Sequence, residues 1–278
     1  MLNPPQENLR LNSRELAFEA RKEVLRMTHE AKASHVGSAL SVVDILAVLY
    51  SDIAKIDSNQ TGAADRDIVI VSKGHAAAAL YSILAFRGFF PYEWLRRYCS
   101  DGAELSGHVT SAYIPGVELS TGSLGHGLPY AIGIQMSRKN SGVAGRSFVV
   151  MSDGECDEGT TWESALIANH HNLDSLVVII DRNGIQSMGS TEETLALEPF
   201  DSKWKAFGWN VYTVNGHDHL ELIEKLKLPV NGKPTCIIAN TIKGNGVDFM
   251  ENQVLWHYRP PSDDDLDNAL RQITRATN

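Results

Sequence analysis

Two short apolar runs, Phe148–Met151 and Leu176–Ile180, are separated by 24 residues (152–175) that open with Ser152-Asp153-Gly154-Glu155 and then read as a helix. That is the layout of a β-α-β unit. It constrains the chain more than any other feature, because two parallel strands joined by a crossover lie in one sheet and end at the same edge. Both runs end on residues able to ligate a hard cation: Asp153 after the first, and Asp181-Arg182-Asn183 after the second. Open α/β folds bind their ligands at that carboxyl edge.

A carboxylate, an amide oxygen and a backbone carbonyl suit a small dication that keeps water and phosphate oxygens in its other positions. Magnesium diphosphate is the natural occupant, with Mn2+ or Ca2+ as alternatives. Gly154 would let the backbone approach a phosphate, and Glu155 onward could present the positive end of a helix. Taken singly, each half also reads as ordinary structure, Asp153 as a helix cap and Asn183-Gly184 as a turn.

The rest of the chain repeats the alternation. Strand-like runs occur at Ile68–Val71, Val211–Val214 and Thr235–Ala239, with helical or Gly-rich segments between them. Asn12 with Glu15 reads as a capping box ahead of a helical face at Leu16, Ala20, Val24, Met27 and Ala31; Ser41 with Asp44 reads as a second, ahead of Ile45–Tyr50. The fold expected is α/β, a mostly parallel sheet with helices on both faces. One domain spans 1–278, with 1–10 and the acidic tail 262–278 peripheral.

Composition excludes several classes. At 278 residues, 43% hydrophobic and 21% charged, the chain can bury one large core, and its net charge of −9 argues against nucleic acid or an anionic membrane as the main partner. Cys99, Cys156 and Cys236 show neither a disulfide framework nor zinc spacing. The amino terminus lacks a signal core, and the longest mostly apolar run, Ala76–Phe86, is too short for a bilayer, so a cytoplasmic location is expected. Gly244-Asn245-Gly246 has Phe249 where a dinucleotide fingerprint needs its third glycine, and no GxxxxGK[ST] run exists.

Together, Asp153-Gly154 and Asn183, separated by 28 residues (155–182), resemble the thiamine-diphosphate signature. Ser152 replaces its first glycine and Arg182 precedes the Asn, but the family's metal ligands, here Asp153, Asn183 and the Ile185 carbonyl, are retained. Ser34-His35-Val36-Gly37, Ser72-Lys73-Gly74-His75-Ala76, Ser106-Gly107-His108, Gly122-Ser123-Leu124-Gly125-His126-Gly127 and Lys243-Gly244-Asn245-Gly246 resemble successive motifs of the transketolase family, in its order. The resemblance runs from about residue 10 to residue 261.

It implies thiamine diphosphate and Mg2+ as cofactors and transfer of a two-carbon ketol unit from a ketose to an aldehyde acceptor. His75 matches a diphosphate contact, Gly122 and Leu124 a segment lining the cofactor, and His35 and His108 histidines facing the donor sugar. Lys243 belongs to a cofactor-side motif. Glu158 and Glu163 match acids that link two active sites across a dimer interface. Trp256-His257 resembles a His-Gly segment, with Val254 where a further histidine often stands. His29, His170, His171, His217 and His219 match no motif and read as solvated or locally hydrogen-bonded. Cys156 matches a non-catalytic loop position.

The family's second domain, which supplies the pyrimidine-binding glutamate and phosphate-binding arginines, has no counterpart here. The resemblance therefore implies the amino-terminal subunit of a split transketolase, acting with a carboxy-terminal partner in a two-fold heterotetramer. Two alternatives remain: the α-type subunit of another split thiamine enzyme, such as a 2-oxo acid dehydrogenase, and a non-catalytic cofactor-binding module.

Overall fold

The computed structural model describes residues 11–229 and 231–275; the amino-terminal segment 1–10, expected to be peripheral, lies outside them. Asn12 caps α1 (Ser13–Glu30): its side chain accepts the Arg14 and Glu15 amides, both at 3.0 Å, and Glu15 returns a bond to the Asn12 amide at 2.9 Å. The capping box satisfies helix-end donors that would otherwise lack partners. Leu16, Ala20, Val24 and Met27 form the buried face, and Ala31 is the C-cap.

The second expected cap is not one. Helix α2 (Val36–Val48) starts at His35, and Ser41 lies inside it, donating to the Ser38 carbonyl (3.1 Å) and to Asp181 Oδ2 (2.6 Å). Every residue of α2 is buried, so tertiary burial, not local capping, sets where it begins. A π turn, Leu49–Ile53, extends it. By length and composition Val36–Ile53 could cross a membrane, yet most of it is buried within the fold. The sequence reading missed this stretch because Asp44 and Asp52 interrupt the apolar run.

The chain continues through β1 (Ile68–Val71), α3 (Ala77–Phe86), α4 (Gly127–Ser141), β2 (Ser147–Ser152), α5 (Gly159–His170) and β3 (Leu176–Arg182). A single turn α6 (Thr191–Thr194), α7 (Phe200–Ala206), β4 (Asn210–Asn215), α8 (His219–Leu226), β5 (Thr235–Asn240) and α9 (Asp263–Arg275) complete it. Among the described residues, all five strands fall on the expected apolar runs. They form one parallel sheet in the order β1-β2-β3-β5-β4. Alternate side chains leave opposite faces: Val71, Phe148, Val150, Ile179 and Ile237 pack with α1, α2, α3 and α8, whereas Ile70, Val149, Met151, Val178 and Ile238 pack with α4, α5 and α7. Near-continuous apolar strands are what a sheet covered on both faces requires. Of the tail expected to be peripheral, 263–275 form α9, an acidic surface helix that buries Ala269 and Ile273 against the same core as α1, and 276–278 lie outside the described residues.

One polar contact ties the carboxyl edge together. Lys73, just after β1, is fully buried and ion-pairs with Asp181 near the end of β3, two strands away. Asp181 also accepts from Ser41 and Thr241, and Lys73 donates to the Ser38 carbonyl at 3.1 Å. Burial disfavours the Asp181 charge, but the Lys73 ammonium and these bonds hold its carboxyl below the usual carboxylate range. Asp181, read from sequence as a candidate ligand, is thus taken up within the protein. Lys73→Met leaves that carboxylate buried and unpaired, and should lower stability by about 3–5 kcal/mol. Urea denaturation at neutral pH checks this; an unchanged midpoint would contradict it.

Candidate cofactor and catalytic site

Parallel register brings the ends of β2 and β3 side by side, Ser152 opposite Asp181, so the residues that follow them meet. Asp153 is almost wholly buried; its Oδ1 accepts the Gly154 amide at 2.8 Å and its Oδ2 the Gly184 amide at 2.7 Å. Arg182 Nη1 approaches Oδ2 at 3.4 Å, and the same guanidinium bonds Thr191, Glu192 and Glu198. Burial nonetheless pushes the Asp153 carboxyl above its ordinary range, a cost that a nearby cation would relieve. Asn183 is buried and its Oδ1 accepts the Ile185 amide at 3.2 Å. Lys243 Nζ rests on the Ile185 carbonyl (3.0 Å) and the Gln186 carbonyl (3.1 Å), so those carbonyls already face a cation.

Among the described residues no group of three His, Cys, Asp or Glu side chains is arranged for a metal. The donor set is instead one carboxylate, one amide and one carbonyl, which fits a hard dication whose remaining ligands are water and phosphate. A Cβ at Gly154 would come within 2.9 Å of the Gln186 side chain, which donates to Asp157 at 2.7 Å, so the small residue also leaves room for that contact.

Four histidines gather on the other side. The His35 ring lies 5.4 Å from His75, 5.4 Å from His108 and 4.9 Å from His257, and His75 lies 5.8 Å from His257. The His35 backbone is left-handed (φ +73°) and its amide donates to the His257 carbonyl at 2.8 Å, which pins the two loops together. The Gly122 backbone passes close against the His108 ring, and His126 Nδ1 lies 2.9 Å from the Leu124 carbonyl. At Gly74, beside His75, any Cβ would strike the Thr121 carbonyl.

Three of these rings are held neutral. Burial, then His108, Lys243 and Lys73, lowers His35 to about 4; burial, then Lys243, His35 and Lys73, lowers His257 to about 3. Burial and Lys73 put His75 well below 6.5. Burial and Lys73 also bring Lys243, 3.1 Å from His257 Nδ1, down to about 8. A neutral imidazole can donate one hydrogen bond and accept another, which suits oriented contact with sugar hydroxyls and phosphate esters.

Glu155 does not face the site with its side chain: it is fully buried and accepts from Ser72, the Gly125 amide (2.9 Å) and the Ser152 amide (3.3 Å), bracing the Gly122–Gly127 loop. Glu158 lies outside the histidine group, exposed at the start of α5, with Glu163 also exposed on that helix. His217 and His219, read as solvated or locally bonded, instead bond the buried and distant Asp44. Cys156 is buried, and burial pushes its thiol well above its ordinary range, which leaves it a poor nucleophile.

A parallel sheet presenting a carboxylate, an amide and neutral imidazoles at its carboxyl edge has the form of a site for a diphosphate-bearing cofactor. Residues 14–275 match the family model described as transketolase, thiamine diphosphate binding domain. An apulose-4-phosphate transketolase subunit of Actinobacillus succinogenes is 40% identical over 254 residues, covering 91% of this chain and 92% of that protein. The 6-deoxy-6-sulfo-D-fructose transketolase subunit SqwG of Clostridium sp. is 37% identical, covering 85% and 87%. The solved transketolase of Campylobacter jejuni superposes with a TM-score of 0.88 at 28% identity, covering 96% of this chain and 43% of that one. The chain spans less than half the length of that transketolase. It belongs to the transketolase family and matches the family's thiamine diphosphate-binding domain.

The neutral rings make a pH prediction. Unfolded histidines titrate near 6.5, and the folded rings of His35 and His257 near 4 and 3, so the unfolded chain binds more protons between those values. Stability of the cofactor-free chain should fall as pH drops from 6.5 toward 4. A His35→Asn/His257→Asn variant, with Asn tolerating the left-handed position, should show a shallower fall in urea midpoint with pH. An unaltered slope would contradict neutral burial.

Proposed function

We propose that this chain is the amino-terminal subunit of a split transketolase, moving a two-carbon ketol unit from a ketose to an aldose or aldehyde when joined to a separate pyrimidine-binding partner. The observation that carries the reading is the convergence of Asp153, Asn183 and four histidines at one sheet edge, in a chain aligned along nearly its whole length with proteins named as transketolase subunits. A heterotetramer with two-fold symmetry is the simplest assembly, each pair completing a site.

Asp153, Asn183 and the Ile185 carbonyl would hold the dication, and His75, Lys243, His257 and the Gly122–Leu124 backbone would line the diphosphate. Bound thiamine diphosphate supplies the nucleophile and electron sink for cleaving and reforming the ketose carbon–carbon bond. His35 and His108, 5.4 Å apart, would hydrogen-bond the donor's hydroxyl and carbonyl oxygens and steady charge as it develops there. The substrate class favoured is a ketose with an anionic end, phosphate or sulfonate, as in the names of the relatives. Exposed Tyr130, Leu166 and Ile167, on α4 and α5 near Glu158 and Glu163, offer the apolar surface on which a partner would dock.

The purified chain alone should give no ketol transfer, and reconstitution with the partner should restore it toward phospho- or sulfo-ketoses but not 2-oxo acids. Turnover by the lone chain, or oxidative decarboxylation by the pair, would overturn the assignment. In the reconstituted enzyme, His108→Ala should lower kcat/KM for the donor about 10²–10³-fold, the loss expected of one transition-state donor, with cofactor affinity nearly unchanged. Lost stability with normal specific activity would instead make His108 structural.

A further inference from the structure

A second buried polar group lies behind the site, at the ends of β4 and β5. Asp44 on α2 ion-pairs with Arg21 and accepts from His217 Nδ1 at 2.7 Å and His219 Nε2 at 2.9 Å. Burial opposes its charge, but Arg21 and the two histidine bonds keep the carboxyl well below the usual carboxylate range. His217 faces two ways. Its Nε2 lies 2.8 Å from the Ile242 amide nitrogen, which can only donate, so Nε2 carries the lone pair and Nδ1 the proton that goes to Asp44. Asn245 Nδ2, 3.1 Å from Nδ1, then has no lone pair to meet there and is left with Asp44 Oδ2 at 3.5 Å.

The residue after Ile242 is Lys243, whose ammonium spans the Ile185 and Gln186 carbonyls and His257 Nδ1. Asp44 is already met by Arg21 and His219. What His217 adds is a link from that anchored carboxylate to the backbone that aims Lys243. We propose that His217 is a positioning residue for the cofactor site: as the neutral Nδ1–H tautomer it joins Asp44 to the Ile242 amide and so fixes the backbone from which Lys243 reaches the diphosphate side of the site. This role rests on the cofactor-site reading and belongs to a residue outside that site. Neither end of the link touches cofactor or sugar, so its effect should appear in cofactor affinity before it appears in turnover.

Two amides divide the ring's functions. His217→Asn keeps a donor near the Nδ1 position for Asp44 but cannot reach Ile242, whereas His217→Gln can place an acceptor at the Ile242 amide. Nitrogen NMR of the wild-type chain should show His217 neutral and protonated at Nδ1, and hydrogen exchange should show the Ile242 amide protected without cofactor. In the Asn variant that protection should be lost, and the dissociation constant of thiamine diphosphate with Mg2+ in the reconstituted enzyme should rise about tenfold, with kcat at saturation close to wild type. The Gln variant should recover both, and His217→Asn in a Lys243→Met background should add little, because both changes act through one link. An Nε2–H or charged ring, equal behaviour of Asn and Gln, or additive losses would overturn the proposal. Should the wild-type enzyme bind no thiamine diphosphate, the cofactor reading fails; tautomer and Ile242 protection still decide the role of His217.

Discussion

A lysine ammonium without access to water needs a full counter-charge, and Lys73 finds it in Asp181 across the breadth of β2. Such a pair is costly to bury and more costly to break, so it fixes relative positions more than it adds stability. Here it fixes the loop after β1, the end of β3 and, through Ser41 and Thr241, helix α2 and the end of β5. Each of these elements delivers a site residue: His75, Asn183, His35 and Lys243. The site is positioned by groups that never face its ligand.

The same division explains the electrostatics. A chain of net charge −9 that is to hold an anionic cofactor cannot rely on a basic surface. It concentrates cations inside instead. Burial, reinforced by the Lys73 and Lys243 charges, keeps the His35, His75 and His257 imidazoles neutral, and burial with the Lys73 charge brings Lys243 down to about 8. Neutral rings can then discriminate oxygen lone pairs from hydroxyl protons, which charged ones cannot.

Much of this was legible in the sequence. The five strands were, because a sheet covered on both faces needs unbroken apolar runs, and the edge residues Asp153 and Asn183 followed from strand polarity alone. The histidine group was legible only by resemblance: His35, His75, His108 and His257 are far apart in sequence, and no local pattern says that their rings meet. What escaped was long-range. Asp44 looked like a capping residue because a Ser three positions earlier fits that pattern, and nothing local reveals Arg21, His217 and His219 closing on it. Glu155 reads as the opening of a helix end, and nothing local says that its carboxylate turns inward to Ser72 and Gly125. His217 offered one faint signal, a histidine directly beyond the carboxyl end of a strand, where this class of sheet gathers its working residues.

On the proposed reading, the ends of β2 and β3 make a hard-cation site from Asp153, Asn183 and the Ile185 carbonyl, with Lys243 sharing that carbonyl until the cation arrives. Anomalous scattering from crystals of the assembled enzyme grown with Mn2+ and thiamine diphosphate tests it directly. A manganese peak is expected between Asp153, Asn183 and the Ile185 carbonyl, with the Lys243 ammonium turned away from that oxygen. Manganese bound elsewhere, or at that place with Lys243 still on the Ile185 carbonyl, would contradict it.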